Sequence, residues 1–263
     1  MNLQNGVEEE GVSPIPSSLS QVGIVLKYTF LDYLRSKRFF VMVVIALLIG
    51  AGMTAGIGYY RPIKILSYAV AFYSDWWVGI GGVTFFVILL SGVFFGGDAI
   101  SGEFQGKTGY YLLSNPIKRS SICIGKWLSA YLASSFIIGL SALIAIANQL
   151  YYFGWTFPYQ FGEALLFSWV YLASILGITF LVSSLFKSNA LSILVSIIVL
   201  SYGFVLIQNI LNSFAKMEPW FVLSYASGII ANILTATGYP EHAVATNLSP
   251  HVVFQRWSHS DNL

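Results

Sequence analysis

Charged residues are scarce for a chain of this length. Asp, Glu, Lys and Arg make up 9% of its 263 residues, whereas about 25% is usual in soluble globular domains. Its 13 basic and 11 acidic residues cannot cover the surface of a water-soluble body of this size, and 56% of the residues are hydrophobic. The composition excludes a soluble domain and indicates a protein that keeps most of its surface in lipid.

Three other scarcities exclude further classes. The single cysteine, Cys123, rules out an intrachain disulfide and a cysteine-based metal site. The three histidines, His242, His251 and His259, are irregularly spaced near the carboxy terminus, so we expect no metal site. The net charge is only +2, and the sequence has no run of basic residues with aromatic residues between them, so nucleic-acid binding is not expected.

Long apolar runs account for most of the chain. A membrane-spanning helix needs about 20 apolar residues, and the runs that meet this requirement are 39–60, 78–97, 127–147, 161–186 and 190–207. A sixth candidate, 220–237, is shorter and contains several polar residues, so it either crosses the bilayer or lies at its surface. We predict an all-α, polytopic membrane helix bundle with five spans and an undecided sixth.

No charged residue lies near the centre of any of the five spans. Intramembrane catalysis and ion relays depend on central acidic or histidine side chains, and Asp75, Asp98 and Glu163 all lie at span edges. We therefore predict no catalytic residue and no enzyme activity in this chain.

The amino-terminal region divides into two parts. Residues 1–18 are polar and predict a disordered tail. Residues 19–38 place apolar residues at helical spacing, with Lys27, Asp32, Arg35 and Lys37 on the other side, which predicts an amphipathic helix in the headgroup region. The alternative is a simple helical extension of the first span.

The distribution of Lys and Arg predicts the orientation. Nine basic residues lie before span one, between spans two and three, or between spans four and five, and four lie elsewhere. By the positive-inside rule, this distribution places the amino terminus and the 98–126 loop in the cytoplasm. The opposite side collects an interfacial belt of aromatic residues: Tyr59, Tyr60, Tyr73, Trp76, Trp77, Tyr151, Tyr152, Phe153, Trp155, Phe157 and Tyr159.

The loop 98–126 is unusually long and carries charges of both signs, whereas a simple connection takes about 4–6 residues. It predicts short helices at 100–105 and 108–113 and suits docking onto a cytoplasmic protein; a merely solvated loop is the alternative. The stretch 101–108 approaches a phosphate-binding loop, but Ser101 replaces the required glycine and no strand precedes it, so we expect no nucleotide site.

The same residues carry a family resemblance. Part of the loop resembles the signature that follows the second span in ABC-2 type transporter permeases. The segments that carry the resemblance are Asp98-Ala-Ile-Ser-Gly-Glu103, Gly106 to Pro116, Lys118-Arg119 and Gly125-Lys126-Trp127. Residues 30–38 resemble the entry helix of the same family. The resemblance extends over about 20–210. It implies a coupling helix in this loop that contacts a separate ATP-binding cassette ATPase, with ATP and Mg²⁺ on that partner and no cofactor in this chain.

The resemblance also implies a second permease subunit, identical or different. The residues of this chain that the resemblance implies as candidates for coupling to the ATPase are Asp98, Ser101, Glu103, Lys107, Thr108, Lys118 and Arg119. Members commonly have six spans, whereas residues 251–263 here are polar. We therefore expect a permease domain over 19–210 and an extracellular segment over 211–263 that contains the helix 220–237.

Two glycine pairs have the small-xxx-small spacing that lets membrane helices approach closely. They are Gly52 with Gly56 and Gly92 with Gly96, and we expect packing roles within one subunit or between two.

Together these features predict a multi-pass cell-membrane permease subunit that exports an amphipathic or hydrophobic substrate. The alternative is a membrane scaffold subunit without a transport path.

Overall fold

The structure is a computed structural model that describes residues 17–60, 69–79, 82–106, 118–155, 157–211, 213 and 222–234. Every regular element within these ranges is a helix, and no strand occurs among them. The predicted tail up to Pro16 and the predicted helix 108–113 lie outside the described residues.

Five helices are long and apolar enough to span a membrane, which confirms the predicted helical bundle. The first, third and fourth are α2 (Lys37–Tyr60), α6 (Arg119–Phe153) and α7 (Tyr159–Leu185). The second contains a π-helical segment (Thr84–Leu89), α4 (Leu90–Gly96) and α5 (Ser101–Gln105). The fifth contains α8 (Asn189–Ile198), a π-helical segment (Val199–Gly203) and α9 (Phe204–Ile210).

The amino-terminal helix α1 (Ser18–Arg35) is separate from the first span. Ser36 has extended backbone angles, which interrupt the helix. Its hydroxyl donates to the Tyr33 carbonyl oxygen at 2.7 Å and accepts from the Phe39 N–H at 3.2 Å. One serine therefore caps the end of α1 and the start of α2. The alternative of a continuous helical extension is wrong.

The second span begins later than predicted. Residues 78–83 contain several glycines that favour chain reversal over helix, and Gly82 adopts a positive φ of 54°. Before this turn lies a short helix, α3 (Ala69–Trp77), which was not predicted from the sequence.

Helix α3 changes the interpretation of the aromatic belt. Tyr73, Trp76 and Trp77 are fully buried, and the Tyr73 ring stacks on Phe161 with centroids 4.5 Å apart. For these residues the interfacial interpretation is wrong, because their helix packs into the bundle. Tyr59, Tyr151, Trp155 and Tyr159, in contrast, are strongly exposed, as a belt requires.

The second span is the most buried of the five and the fifth is the least. Helices α2, α6, α7 and α8 all contact the second span, so it lies at the centre of the bundle. The exposed apolar side chains of the surrounding helices form the surface that faces lipid.

The carboxy-terminal helix α10 (Leu223–Ile233) has 11 residues. At 1.5 Å per residue it rises about 16 Å, roughly half of the hydrocarbon core. Both alternatives for the segment 220–237 stay predictions, because the structure describes only 222–234 of it. Its buried residues Tyr225, Ile230 and Ile233 pack it against the bundle.

Candidate functional site at the end of the second span

The last turns of the second span, Gly97–Gly106, are bonded to most of the surrounding helices. We call this segment the span-two end. From α6, the Lys126 ammonium forms an ion pair with Glu103 and donates to the Ala99 carbonyl oxygen at 2.9 Å. Both charged side chains are largely shielded, at 12% and 26% exposed, so the pair is less screened than a surface pair.

Helices α1 and α2 contact the start of the same segment. The Arg38 guanidinium forms an ion pair with Asp98, whose side chain is 17% exposed. The Tyr33 hydroxyl donates to the Phe95 carbonyl oxygen at 2.9 Å. Burial, and secondarily the Asp98 charge, raises the pKa of Tyr33, so this phenol stays protonated and remains a donor.

Helices α7 and α8 contact the other side. The Ser183 hydroxyl oxygen accepts from the N–H groups of Ile100 at 3.1 Å and Ser101 at 3.0 Å. From α8, the Ser192 hydroxyl donates to the Gly97 carbonyl oxygen, and the Asn189 N–H donates to Gln105 Oε1 at 2.8 Å. The backbone groups left without helical partners at this break are thereby satisfied by neighbouring spans.

The start of α6 packs closely on α1. A Cβ on Gly125 would lie 2.8 Å from the Val25 side chain, so only glycine allows this approach. Ser129 donates to the Leu26 carbonyl oxygen at 2.9 Å, and the Lys118 N–H donates to Gln21 Oε1 at 3.2 Å. Helix α1 is therefore attached to the segment that begins at Lys118.

The predicted coupling residues divide into two groups. Lys118 and Arg119 are exposed, whereas Ser101 is fully buried and Asp98 and Glu103 are partly buried in ion pairs. Ser101 is therefore positioned for an internal role and not for contact with a partner. Lys107 and Thr108 lie outside the described residues.

The two glycine pairs have different surroundings. A Cβ on Gly92 would lie 2.6 Å from Ile175, and one on Gly96 would lie 2.1 Å from the Thr179 hydroxyl oxygen, so the second span and α7 are in close contact. Gly52 and Gly56 have no such neighbour within 4 Å among the described residues, and packing between two subunits stays a prediction for them.

Several residues of the site were not singled out from the sequence. The most important are Tyr33, Arg38, Lys126, Ser183, Ser192 and Phe104, the last of which is 55% exposed at the end of α5. From the sequence, Arg38 and Lys126 count as orientation charges and as parts of the segments that carry the family resemblance, but neither is assigned a partner. Their partners lie 23 to 95 positions away, and no local pattern identifies such pairs.

The side chains of this site hold helices in position relative to one another. No group of three or more metal-binding side chains occurs among the residues that the structure describes. Ion pairs and hydrogen bonds between five helices can carry a displacement from one end of the second span into its neighbours, because packed helices move as rigid bodies.

The comparisons with known proteins agree with this architecture. A family model described as ABC-2 family transporter protein matches residues 24–235. No curated protein and no solved structure matches the chain.

Proposed function

The chain belongs to the ABC-2 transporter family and is a transmembrane component of an ABC transporter, and from this premise we propose that it is the permease subunit of an exporter driven by a separate cassette ATPase. The ATPase binds the surface formed by Phe104, Lys118 and Arg119, together with the adjoining part of the 98–126 loop. We call this the docking surface.

The observation that carries the proposal is the contrast between the docking surface and its base. Phe104 at the end of α5 and Lys118 and Arg119 at the start of α6 are all exposed, which provides an apolar side chain and two cations for a partner. Directly behind them, Asp98, Ser101 and Glu103 are bonded to α2, α7 and α6. A force on the docking surface is therefore transmitted to the spans instead of being absorbed by a flexible loop.

The distribution of charge supports a cargo without fixed charge. The described charged residues of the spans lie near their ends, four of them in two ion pairs, and the span centres are uncharged. An ionic cargo would favour ionisable residues along its path because of the cost of carrying charge through lipid. We therefore propose an amphipathic or hydrophobic cargo and a complex that contains two permease subunits.

Co-purification with a cassette ATPase encoded beside this gene, followed by ATPase assays in proteoliposomes, tests the proposal. We expect Lys118→Ala/Arg119→Ala and Phe104→Ala to lower the ATPase activity coupled to this subunit by about tenfold, corresponding to about 1.4 kcal/mol of lost contact energy. The double change Arg61→Ala/Lys64→Ala removes the same charge from the predicted outer side and serves as the matched control.

The results distinguish the alternatives. Parental hydrolysis in the docking-surface variants would contradict the assignment of this surface. Normal complex formation in which hydrolysis never responds to a transported molecule, such as a fluorescent amphipathic dye, would favour the scaffold function.

A further inference from the structure

A second site lies in the other half of the bundle, away from the docking surface. A pocket of about 250 Å³ opens between the end of α3, the π-helical start of the second span, α7, the fifth span and α10. An apolar protein cavity of about 150 Å³ accepts a benzene molecule, so this pocket can hold about ten to fifteen non-hydrogen atoms.

The lining of the pocket combines aromatic rings with hydroxyl groups. Trp77, Phe85 and Tyr171 supply the rings, and Thr84, Ser201, Ser224 and Ser227 supply the hydroxyls. The described lining contains no Asp, Glu, Lys, Arg or His. Because burial of an unpaired charge costs much free energy, this lining selects an uncharged molecule.

Two residues that line the pocket each carry a buried polar atom without a hydrogen-bond partner in the described part of the chain. These atoms are the indole Nε1 of Trp77, a residue that is fully buried, and the hydroxyl oxygen of Ser201. Buried polar groups in native proteins are nearly always hydrogen-bonded. Since the indole N–H can only donate, a ligand that satisfies it must carry an acceptor.

The backbone around the pocket is also unusual. Both π-helical segments contribute to its lining, through Thr84, Phe85 and Leu89 from one and Leu200 and Ser201 from the other. Single π-helical turns inside α-helices are rare and are frequent at functional sites. Ser224 connects α10 to this region, because its hydroxyl lies 3.0 Å from the Phe204 carbonyl oxygen and 2.7 Å from Gln208 Oε1.

We propose that this pocket binds an uncharged, amphipathic ring compound that carries a hydrogen-bond acceptor. Its ring lies among the aromatic side chains, and its acceptor receives hydrogen bonds from Trp77 or Ser201. That this ligand is the transported cargo rests on the function proposed above, whereas the binding itself requires no ATPase.

Photolabelling of the purified chain in nanodiscs tests the site. The probe is a trifluoromethyl-diazirinyl benzyl alcohol, which is neutral and has an acceptor oxygen, and the labelled residues are mapped by peptide mass spectrometry. We expect saturable labelling of the peptides that contain Phe85 and Tyr171, which excess naphthol displaces. The corresponding diazirinyl benzoate, which is negatively charged, should label these peptides about tenfold less.

Two variants and a matched control complete the experiment. Ser201→Phe fills the pocket and should abolish the saturable labelling, and Ser201→Ala removes one hydrogen-bonding group and should weaken it by about fivefold. Ser174→Phe makes the same change at an exposed position of α7 and should leave labelling unchanged. A thermal melt verifies that each variant is folded.

Labelling that does not saturate, that is equal for the alcohol and the benzoate, or that persists in folded Ser201→Phe would overturn the proposal. The two proposals can be contradicted independently. Absence of saturable labelling would leave the ATPase effects of the docking-surface variants unchanged, and absence of those ATPase effects would leave the labelling unchanged.

Discussion

Ser183 shows how one side chain can position the span-two end. Its hydroxyl oxygen accepts from two consecutive backbone N–H groups, those of Ile100 and Ser101, at the break between α4 and α5. These donors belong to the first turn of α5, where no helical carbonyl oxygen is available to them. The serine thus replaces a missing helical bond with a bond to a neighbouring span.

Ser183→Ala should therefore lower the stability of the folded protein. The change leaves two shielded donors without their acceptor, at a cost of about 1–3 kcal/mol. Ser184→Ala, at the exposed neighbouring position, is the control, since its hydroxyl only donates to Leu181 in its own helix. Thermal unfolding in detergent measures both, and equal melting temperatures for the two variants would contradict the role of Ser183.

A second prediction at the scale of residues concerns the Arg38–Asp98 ion pair. Arg38→Ala leaves the shielded Asp98 carboxylate unpaired, whereas the double variant Arg38→Ala/Asp98→Ala removes both charges. We expect the double variant to be at least as stable as Arg38→Ala, with an interaction energy of about 1–3 kcal/mol from the double-mutant cycle. Additive losses would show that the pair contributes nothing.

At the scale of elements, the second span and α7 are in close contact. Gly92 and Gly96 lie where any side chain on the second span would meet Ile175 or Thr179. In lipid, such close packing replaces the hydrophobic effect as the main attraction between helices. The contact also joins the span-two end to the helix that carries Ser183.

Gly96→Ala should separate these helices and destabilise the fold by about 1–3 kcal/mol, as overpacking does. Gly139→Ala is the control, because no described residue outside its own helical turns has an atom within 4 Å of a Cβ at that position. Unfolding of both variants in detergent distinguishes them. A parental melting temperature for Gly96→Ala would mean that the two helices are not in contact at this point.

The elements also show what sequence alone can and cannot predict. Continuous apolar runs identified all five spans, because a lipid environment demands them. The start of the second span was misplaced because residues 78–83, which include the turn at Gly82, are as uncharged and apolar as the helix that follows them. The Ser183 and Lys126 bonds were not predictable, since they join helices that are distant in sequence and each residue alone is compatible with simple packing or orientation.

At the scale of the whole molecule, the described chain is an apolar helix bundle in which both ion pairs lie at one end. The docking surface lies at that end, and the proposed ligand pocket lies between the opposite ends of the second and fifth spans. An ATPase that acts at the end with the ion pairs can influence the pocket through the second span, α7 and the fifth span, each of which contributes residues to both regions. The account therefore depends on the docking surface being in the cytoplasm.

The single cysteine, Cys123, provides the most direct measurement of this claim. It is exposed and lies four residues after Arg119 on α6, so both side chains occupy the same face of that helix. A membrane-impermeant maleimide is applied to intact cells and to inside-out vesicles, with and without the co-expressed ATPase. The control is Cys123→Ser/Tyr59→Cys, which moves the thiol to an exposed position at the opposite end of the first span.

The account predicts labelling of Cys123 in inside-out vesicles only, slowed when the ATPase is bound, and the reverse sidedness for the control. Labelling of Cys123 from outside intact cells would contradict the account, because no ATP-driven partner could reach the docking surface there.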